Sequence, residues 1–385
     1  MKTIKYIGYY DTPEHAAENR NYVLSATNKM TYICSALNRL GWNVEIVSAS
    51  GTKNRKGCRG RCTAISEQIS LRLFPSMGTG RKLKRIVKVM AERLQLFWYL
   101  LLHTKPTETV MAYHSLGYEK TLWLLQKIKG FRLILEVEEI YSDVTKNEKT
   151  RKIEERLFSC ADGFVFPTEL LDEKLNREKK PSVIIYGTYQ VEKQRDLQEP
   201  ILDPKKIHLL YAGTFDPRKG GAAAAVAAAS ALSEQYHVHI IGFGSERDKA
   251  VLLEQIDQVS GTAKATVSYD GLLSGEEYIR FVQSCDVGFS TQTPDGIYNE
   301  TSFPSKVLSY MANGLRVVSV KIKVLERSEI SDLISYYEEN TPKAIADAVK
   351  KIDFSEPYDS RGIIGVLDHK FVHALNRLLE KNDIG

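Results

Sequence analysis

The chain has 385 residues, of which 43% are hydrophobic and 26% charged, and its net charge is +5. This length holds two domains of ordinary size, and the composition is that of a soluble globular protein. Five scattered cysteines exclude a disulfide framework, and no run reaches the roughly 18 apolar residues that a membrane-spanning helix needs. The opening residues MKTIKYIGYY are already strand-like, so we expect no signal peptide.

The first elements predict a doubly wound α/β sheet. Residues 3–9 are typical of a buried strand, 23–40 of a helix ending at Gly41, and 44–48 of a second strand. In such sheets ligands collect at the carboxyl ends of the strands.

A basic region follows between residues 53 and 102. Twelve Lys or Arg face only two acids from Lys53 to Arg93, and the segment KNRKGCRGR is predicted as a mobile loop. The helix predicted over 81–102 is basic at one end and rich in aromatic and aliphatic residues at the other. Two interpretations stay open, a helix lying on a membrane surface and a core helix with basic exposed turns. Nucleic acid is disfavoured because no recognisable reading helix accompanies the charge.

Cys58 and Cys62 lie in this region, but no second Cys or His pair accompanies them, so no metal site is predicted.

Two predicted strands of the first half end in candidate reactive groups. His114 follows the strand 109–113, and three carboxylates, Glu136, Glu138 and Glu139, crowd the end of the strand 132–137. Mutual repulsion should raise the pKa of at least one of them. Glu138, Glu136 and His114 are therefore candidates for a base toward a hydroxyl or for hydrogen bonds to a bound ligand. The alternatives are solvated charges and a structural histidine.

Further strands are predicted over 163–167 and 183–185, and a polar, proline-containing stretch over 194–206 is predicted to be a linker. A second series of strands and helices begins at residue 207. The predicted organisation is an N-terminal domain over 1–193, a C-terminal domain over 207–359, and a terminal helix within 360–385 that packs back on the first domain.

Two loops of the second half are suited to phosphate. The loop YAGTFDPRKGG, at 211–221, combines glycines, Arg218 and Lys219 with the start of a helix. The stretch 298–320 predicts a loop, a helix capped by Ser302 or Ser305, a turn and a buried strand. Two such loops in one α/β domain favour a diphosphate as the bound ligand.

These motifs together resemble one enzyme family. In order, they are YAGTFDPRKG, IIGFGSE, VSYDGLLSGEE, CDVGFS and FPSKVLSYMANGLRVVS, spread over most of 207–320. This combination resembles the retaining glycosyltransferases of the GT-B fold, the group 1 or glycogen-synthase-like family, and within it a PSK-type branch. The first half resembles the acceptor domain more loosely, through CADGFVFPTE and PSVIIYG.

The resemblance implies two Rossmann-like, doubly wound domains facing across a cleft, a nucleotide-diphosphate sugar as substrate, and neither cofactor nor metal. It implies diphosphate contacts from Thr214, Arg218, Lys219, Ser305 and Lys306. It implies nucleotide contacts from Gly242, Gly244, Gly271, Thr301 and Ser309. The family often has glutamates at the last two positions, and Ser309 cannot replace the charged contact of a carboxylate.

The function this implies is transfer of a sugar from the donor to a hydroxyl of a glycan or lipid-linked glycan, in cell-surface polysaccharide synthesis. The protein is expected in the cytoplasm or at the inner face of the membrane, with residues 53–102 as the contact. Two alternatives stay open: a sugar-nucleotide epimerase of the same architecture, and a catalytically silent nucleotide-sugar-binding partner of another transferase. A nicotinamide dehydrogenase is disfavoured because neither half opens with G-x-G-x-x-G.

Overall fold

Parallel strands with helices between them form two sheets, one in each of two units of the chain. The computed structural model describes residues 2–196 and 200–380, so residues 197–199 of the predicted linker and 381–385 of the predicted terminal helix lie outside the described residues. The first unit comprises Met1–Pro167, Leu171–Thr188 and Lys370–Gly385, and the second comprises Thr168–Leu170 and Tyr189–His369. The predicted domain limits stay a prediction.

The first unit contains an eight-stranded sheet with the order β3-β4-β2-β1-β5-β6-β7-β8, in which only β3 is antiparallel to its neighbour among the described strands. The strands are β1 Lys2–Gly8, β2 Trp42–Ser48, β3 Arg61–Ala64, β4 Ile69–Leu73, β5 Thr109–Tyr113, β6 Arg132–Glu136, β7 Gly163–Phe166 and β8 Ser182–Ile184. The helices are α1 Leu24–Arg39, α2 Lys82–His103, α3 Glu119–Lys129, α4 Tyr141–Thr145 and α5 Glu148–Cys160, together with α6 Glu169–Leu175, whose first two residues belong to the second unit. The chain winds outward from β1 and then restarts at β5, so a crevice is expected where these two strands end.

The second unit contains a six-stranded parallel sheet with the order β11-β10-β9-β12-β13-β14. The strands are β9 Ile207–Thr214, β10 Tyr236–Phe243, β11 Thr266–Gly271, β12 Val287–Ser290, β13 Arg316–Val320 and β14 Ile334–Tyr337. The helices are α7 Gly221–Ala228, α8 Glu246–Ser260, α9 Gly275–Gln283, α10 Ser305–Ala312, α11 Lys323–Glu326 and α12 Pro342–Lys350. Both sheets confirm the predicted doubly wound α/β class.

The core of the first unit fills the space between the sheet and its helices. Leu96 and Leu100 of α2, Leu122 of α3 and Leu157 of α5 are fully buried against the sheet. The burial of one stripe of each helix is what the 3.6-residue periodicity predicts. Only the second half of α2 takes part in this core.

The final helix, α13, runs from Ser360 to Glu380. Within the first unit, the Phe371 ring lies 5.7 Å from that of Tyr32, and the Arg132 guanidinium donates to the Leu378 and Leu379 carbonyls. In the described part of the chain, no helix is both long and apolar enough to cross a bilayer.

The basic loop, whose mobility stays a prediction, leads into a hairpin of the first sheet. Its last residue begins the hairpin β3–β4, and β4 joins the parallel sheet beside β2. The buried Arg20 side chain donates to the carbonyls of Ser50 at 2.8 Å and Phe74 at 3.0 Å, and to Cys58 Sγ at 3.1 Å. The bond to Cys58, together with the β-bridge between Cys58 and Ser76, connects the loop to the rest of the first unit.

Candidate functional site

The switch point of the second sheet lies between β9 and β12, where the strand order reverses. The loops after the two strands are bonded together. Thr293 donates its backbone N–H and its hydroxyl to the Lys219 carbonyl, at 2.9 and 3.0 Å. Thr291 donates its hydroxyl to the Gly221 carbonyl at 2.7 Å. The predicted phosphate loop is therefore fixed at the position where doubly wound sheets bind ligands.

Two glycines let the backbone close up at this point. Gly213 has a φ of +155°, and a Cβ there would lie 2.4 Å from the Lys306 Nζ. Gly242 has a φ of +133°, and a Cβ there would lie 1.9 Å from the Gly213 carbonyl oxygen. Neither position accepts a side chain without a shift of its surroundings. Gly213 thus makes room for the Lys306 ammonium, and Gly242 makes room for Gly213.

Lys306 lies in the first turn of α10 and reaches back to β9. Its Nζ is 3.6 Å from the centroid of the Tyr211 ring, a cation–π contact. Burial, and secondly the nearby Lys219 ammonium, lower the pKa of Lys306 to about 7. No carboxylate among the described residues forms an ion pair with Lys306. A buried ammonium beside a second lysine favours an anion as its partner.

The start of α10 differs from the prediction in one respect. Pro304 occupies the N-cap position, Ser305 is the first helical residue, and within the described residues no side chain caps the helix. The predicted cap by Ser302 or Ser305 is therefore wrong, because the proline displaces the cap by one residue. Gly314, with a φ of +91°, ends the α10 segment as predicted.

Arg218 forms an ion pair with Asp216 of the predicted phosphate loop. Its Nε and Nη2 donate to the Asp216 carboxylate at 3.0 and 2.8 Å, while its side chain is 89% exposed. The Arg218 side chain and backbone N–H lower the pKa of Asp216 to about 2. Thr214, in the same loop, is exposed, and its carbonyl accepts from the Tyr211 hydroxyl at 3.1 Å. Phosphate contacts from Arg218 and Thr214 stay a prediction.

The glycines predicted to line the nucleotide lie at the carboxyl ends of two neighbouring strands, β10 and β11. A Cβ on Gly244 would lie 2.9 Å from the Phe215 Cβ, so this turn packs tightly on the phosphate loop. Gly271, with a φ of +94°, ends β11 in open space. Tyr269 donates its hydroxyl to the Gly242 carbonyl at 3.2 Å. Gly242 is the next-to-last residue of β10, Gly244 follows β10, and Gly271 is the last residue of β11. Their nucleotide contacts stay predictions.

Thr301 and Ser309, at the positions of the family's glutamates, have partners of their own. The Thr301 carbonyl accepts from the Thr168 hydroxyl at 2.9 Å. The Ser309 hydroxyl forms a hydrogen bond with Tyr278. Burial raises the pKa of Tyr278, and this hydrogen bond reverses part of that rise. Neither position brings a negative charge to α10, so Lys306 keeps its positive surroundings.

The predicted carboxylate cluster of the first unit is present at the end of β6. Glu136 is fully buried and accepts a hydrogen bond from the Tyr6 hydroxyl. Glu138 accepts from the Lys29 ammonium, which also donates to the Ile185 carbonyl at 3.2 Å. Burial, followed by the Glu138 charge, raises the pKa of Glu136 to about 8. One carboxyl pKa is raised as expected, but burial contributes more to the rise than the repulsion on which the expectation rested.

His114 is enclosed by two carboxylates that sequence reasoning missed. Its Nε2 lies 2.9 Å from Glu119 Oε1 and 3.5 Å from Glu154 Oε1, and all three side chains are buried. Glu154 also accepts the backbone N–H groups of Tyr141 and Ser142 at 2.8 and 2.9 Å. As placed here, neither His114 nor Glu136 offers a surface to solvent, whereas the Glu138 side chain is 26% exposed. Direct roles for these residues stay predictions.

The raised pKa of Glu136 predicts a pH effect on stability. The folded protein keeps this carboxyl protonated up to about pH 8, whereas the unfolded chain loses the proton near its ordinary pKa of 4.5. The unfolded chain therefore binds fewer protons in this window, and stability falls as pH rises from 4.5 to 8. We expect the free energy of unfolding of the wild type to fall by about 2–4 kcal/mol between pH 5 and pH 8, and that of Glu136→Gln to lack this fall. Urea unfolding at the two pH values measures the difference.

The control for that experiment is Glu148→Gln, since the Glu148 side chain on α5 is 64% exposed. This variant should keep the pH dependence of the wild type. An unchanged pH dependence in Glu136→Gln would show that Glu136 is ionised in the folded protein.

Comparison with known proteins agrees with this geometry. Residues 206–352 match the family model described as glycosyl transferases group 1. No curated protein sequence matches the chain significantly.

Solved structures resemble the chain over its whole length, at low sequence identity. Sucrose-phosphate synthase from Thermosynechococcus elongatus is 14% identical with a TM-score of 0.69, and the match covers 99% of each chain. The E. coli trehalose-6-phosphate structure bound with UDP-2-fluoro glucose is 11% identical with a TM-score of 0.66, covering 99% of this chain and 98% of that one. A UDP-forming trehalose-phosphate synthase from Burkholderia xenovorans, in complex with glucose-6-phosphate, is 9% identical with a TM-score of 0.64, covering 98% and 100%.

The two doubly wound sheets, the paired loops at the second switch point and the match over 206–352 lead to the same assignment. The chain has the GT-B fold of these solved structures, and its residues 206–352 match the model of the group 1 glycosyltransferases.

Proposed function

We propose that this protein transfers a sugar from a nucleoside-diphosphate donor, bound at the switch point of the second unit, to a hydroxyl group. One observation carries the proposal: Lys219 and Lys306 approach each other where β9 and β12 end, without a described carboxylate paired to Lys306. A diphosphate is the anion that two ammonium groups and a helix start accommodate well. The nucleotide-sugar in one structural match and the sugar phosphate in another support this substrate class.

The chemistry follows from where charge develops. As the bond between the anomeric carbon and the donor diphosphate breaks, negative charge collects on the departing phosphate. Lys306, Lys219 and the free backbone N–H groups at the start of α10 stabilise that charge in the transition state. In this proposal the two lysines supply the positive charge that makes the reaction metal-independent, and the family's retention of anomeric configuration is carried over with it.

The acceptor oxygen forms the new bond to the anomeric carbon and releases its proton. We propose that Glu138 accepts this proton, because it is the acid of the predicted catalytic set whose side chain reaches solvent. Glu136 and His114 are buried neighbours; the His114 backbone N–H donates to the Glu136 carbonyl at 2.7 Å. In this arrangement they position the end of β6 and need not contact the sugar.

The proposed acceptor is a glycan carried on a lipid, because α2 offers a surface for a membrane. Its outer side carries a stripe of exposed apolar residues at helical spacing: Leu83, Val87, Met90, Leu94, Trp98 and Leu102. Exposed basic residues flank the first turns of that stripe: Arg81, Lys82, Lys84 and Arg85. Apolar residues beside lysine and arginine are typical of helices that lie in the headgroup region of anionic bilayers. A cell-surface polysaccharide intermediate at the inner face of the membrane fits this surface.

Vesicle binding tests the membrane contact. The double variant Met90→Glu, Leu94→Glu is expected to reduce cosedimentation with anionic phosphatidylglycerol vesicles at least tenfold, because it puts two charges into the apolar stripe. Leu124→Glu is the matched control, since Leu124 is an exposed leucine on α3 of the same unit. Equal binding by all three proteins, or no binding by the wild type, would remove the lipid-linked acceptor from the proposal.

The activity itself is tested by product formation. The full chain is incubated with UDP-, GDP- and ADP-sugars, with lipid-linked glycans or sugar phosphates as acceptors, and both nucleotide release and glycoside formation are followed. Glycoside formation with one donor supports the proposal, and the acceptor used separates the lipid-linked from the sugar-phosphate class. An epimerised donor formed without acceptor would support an epimerase instead. Tight donor binding without any turnover would support a silent partner of another transferase.

A further inference from the structure

Three histidines lie together on one face of the second sheet. His208 is near the start of β9, and His237 and His239 share a face of β10 because side chains alternate along a strand. The strand register places His208 beside His237. Each of the three can offer one ring nitrogen, and those nitrogens lie within 4.8 Å of one another. His208 and His239 are buried and His237 is half-buried.

Each imidazole is also held from outside the cluster. His239 Nδ1 lies 3.1 Å from the Asp270 carboxylate, and His208 Nε2 lies 2.8 Å from the Asp203 carbonyl. His237 Nε2 lies 2.9 Å from the Ser268 hydroxyl. Metal-binding histidines characteristically direct their second nitrogen to a carboxylate, a carbonyl or a similar acceptor. The inner nitrogens left for a ligand are His208 Nδ1, His239 Nε2 and His237 Nδ1.

The hydrogen bonds of His208 and His239 limit which of their ring nitrogens can carry a proton. His208 donates from Nε2 to a carbonyl, so a neutral His208 presents a lone pair at Nδ1. His239 Nε2 lies 2.9 Å from that lone pair, and its Nδ1 faces a carboxylate. A neutral His239 has only one proton for these two acceptors. A metal ion at the two inner nitrogens would leave His239 Nδ1 protonated and donating to Asp270, whereas without an ion the Ser268 hydroxyl, 3.3 Å from the same Nδ1, is the available donor to it.

We propose that His208, His237 and His239 bind one divalent transition metal ion, of which Zn²⁺ is the fitting biological choice. Three imidazole ligands with carboxylate and carbonyl support match the preferences of zinc. The 2.9 Å separation of His208 Nδ1 and His239 Nε2 is close to the spacing of about 3.3 Å that two ligands adopt at Zn–N distances of about 2.0 Å in a tetrahedral site. The His237 ring stacks on His239 with centroids 3.8 Å apart, so it must turn for its nitrogen to reach the same ion, and a water molecule completes the coordination.

The site is structural in this proposal. Along β9, His208 precedes Gly213 by five residues, which is roughly 16 Å of strand, so the metal does not reach the phosphate loop. Its ligands come from β9 and β10, and Ser268 and Asp270 attach β11 through hydrogen bonds to His237 and His239. The ion would hold together three strands at the end of the sheet that lies away from the switch point.

Metal titration of the chelator-treated full chain tests the inference. Zn²⁺ is expected to bind with one equivalent at micromolar Kd or tighter and to raise the Tm, and Co²⁺ is expected to give the intense visible absorption of a tetrahedral site. His237→Gln should weaken Zn²⁺ binding at least tenfold, because it removes one of the three ligands. His237 is chosen because it is the most accessible of them. His103→Gln, an exposed histidine on α2, is the matched control and should bind as the wild type does.

The Co²⁺ spectrum of the wild type keeps the test decisive even if a ligand variant fails to fold. Absence of Zn²⁺ binding and of tetrahedral Co²⁺ absorption in the wild type would overturn the inference. An equivalent of zinc that His237→Gln retains unchanged would also overturn it, because the ion would then lie elsewhere, such as at His114, Glu119 and Glu154.

Discussion

Lys306→Met is expected to weaken nucleoside-diphosphate binding by about 10- to 100-fold, the loss that follows removal of one charge-assisted contact worth about 1.5–3 kcal/mol. Methionine keeps the length and apolar contacts of the lysine stem but cannot bind phosphate. Isothermal titration with the diphosphate that stabilises the wild type best gives the measurement. Lys343→Met, at an exposed lysine on α12, is the control and should leave binding unchanged.

The same substitution should stabilise the unliganded protein near neutral pH. The pKa of Lys306 is lowered to about 7 in the folded state from its ordinary 10.5, so the unfolded chain binds more protons between these values. Wild-type stability should therefore rise as pH increases from 7 to 10.5, and Lys306→Met should lack that rise. Diphosphate affinity of the wild type should fall over the same interval as the ammonium loses its proton. A variant that binds diphosphate normally, or is destabilised at pH 7, would contradict this account of Lys306.

Gly242→Ala is expected to destabilise the protein by about 2–4 kcal/mol, the sum of a strained left-handed φ and of overpacking. The added methyl would lie 1.9 Å from the Gly213 carbonyl oxygen, which is backbone and cannot rotate away. Displacement of Gly213 would also move the space that Lys306 occupies. The variant should lose diphosphate binding together with stability, both followed by thermal unfolding with and without ligand.

Gly365→Ala is the matched control, because a Cβ there meets nothing within 4 Å in the helix α13. Alanine should stabilise that helix by about 0.5–1 kcal/mol. If Gly242→Ala unfolds no more easily than Gly365→Ala, the close approach of β9 and β10 is not as tight as the structure shows.

Much of the fold follows from local patterns. The strands and helices around Gly213 and α10 are bounded by glycines and a proline, so their positions were predicted within a few residues. The hairpin β3–β4 was missed because ISLRL is a five-residue alternating segment within a strongly basic stretch. Its place in the sheet depends on pairing with β2, which no local pattern reveals.

The candidate site was predictable only in part. Lys219 and Lys306 were each identified from the helix starts beside them, but their approach depends on the order of β9 and β12 in the sheet. The enclosure of His114 by Glu119 and Glu154 depends on how α3 and α5 pack, and nothing in the spacing of these residues indicates it. In the same way, the histidine cluster requires the register between β9 and β10.

A crystal structure of the protein with its preferred nucleoside diphosphate tests the central claim most directly. The account predicts that the β-phosphate lies within hydrogen-bonding distance, about 3 Å, of the Lys306 Nζ, with Lys219 beside it and the start of α10 facing it. A diphosphate bound away from the ends of β9 and β12, with Lys306 contacting only Tyr211, would contradict it.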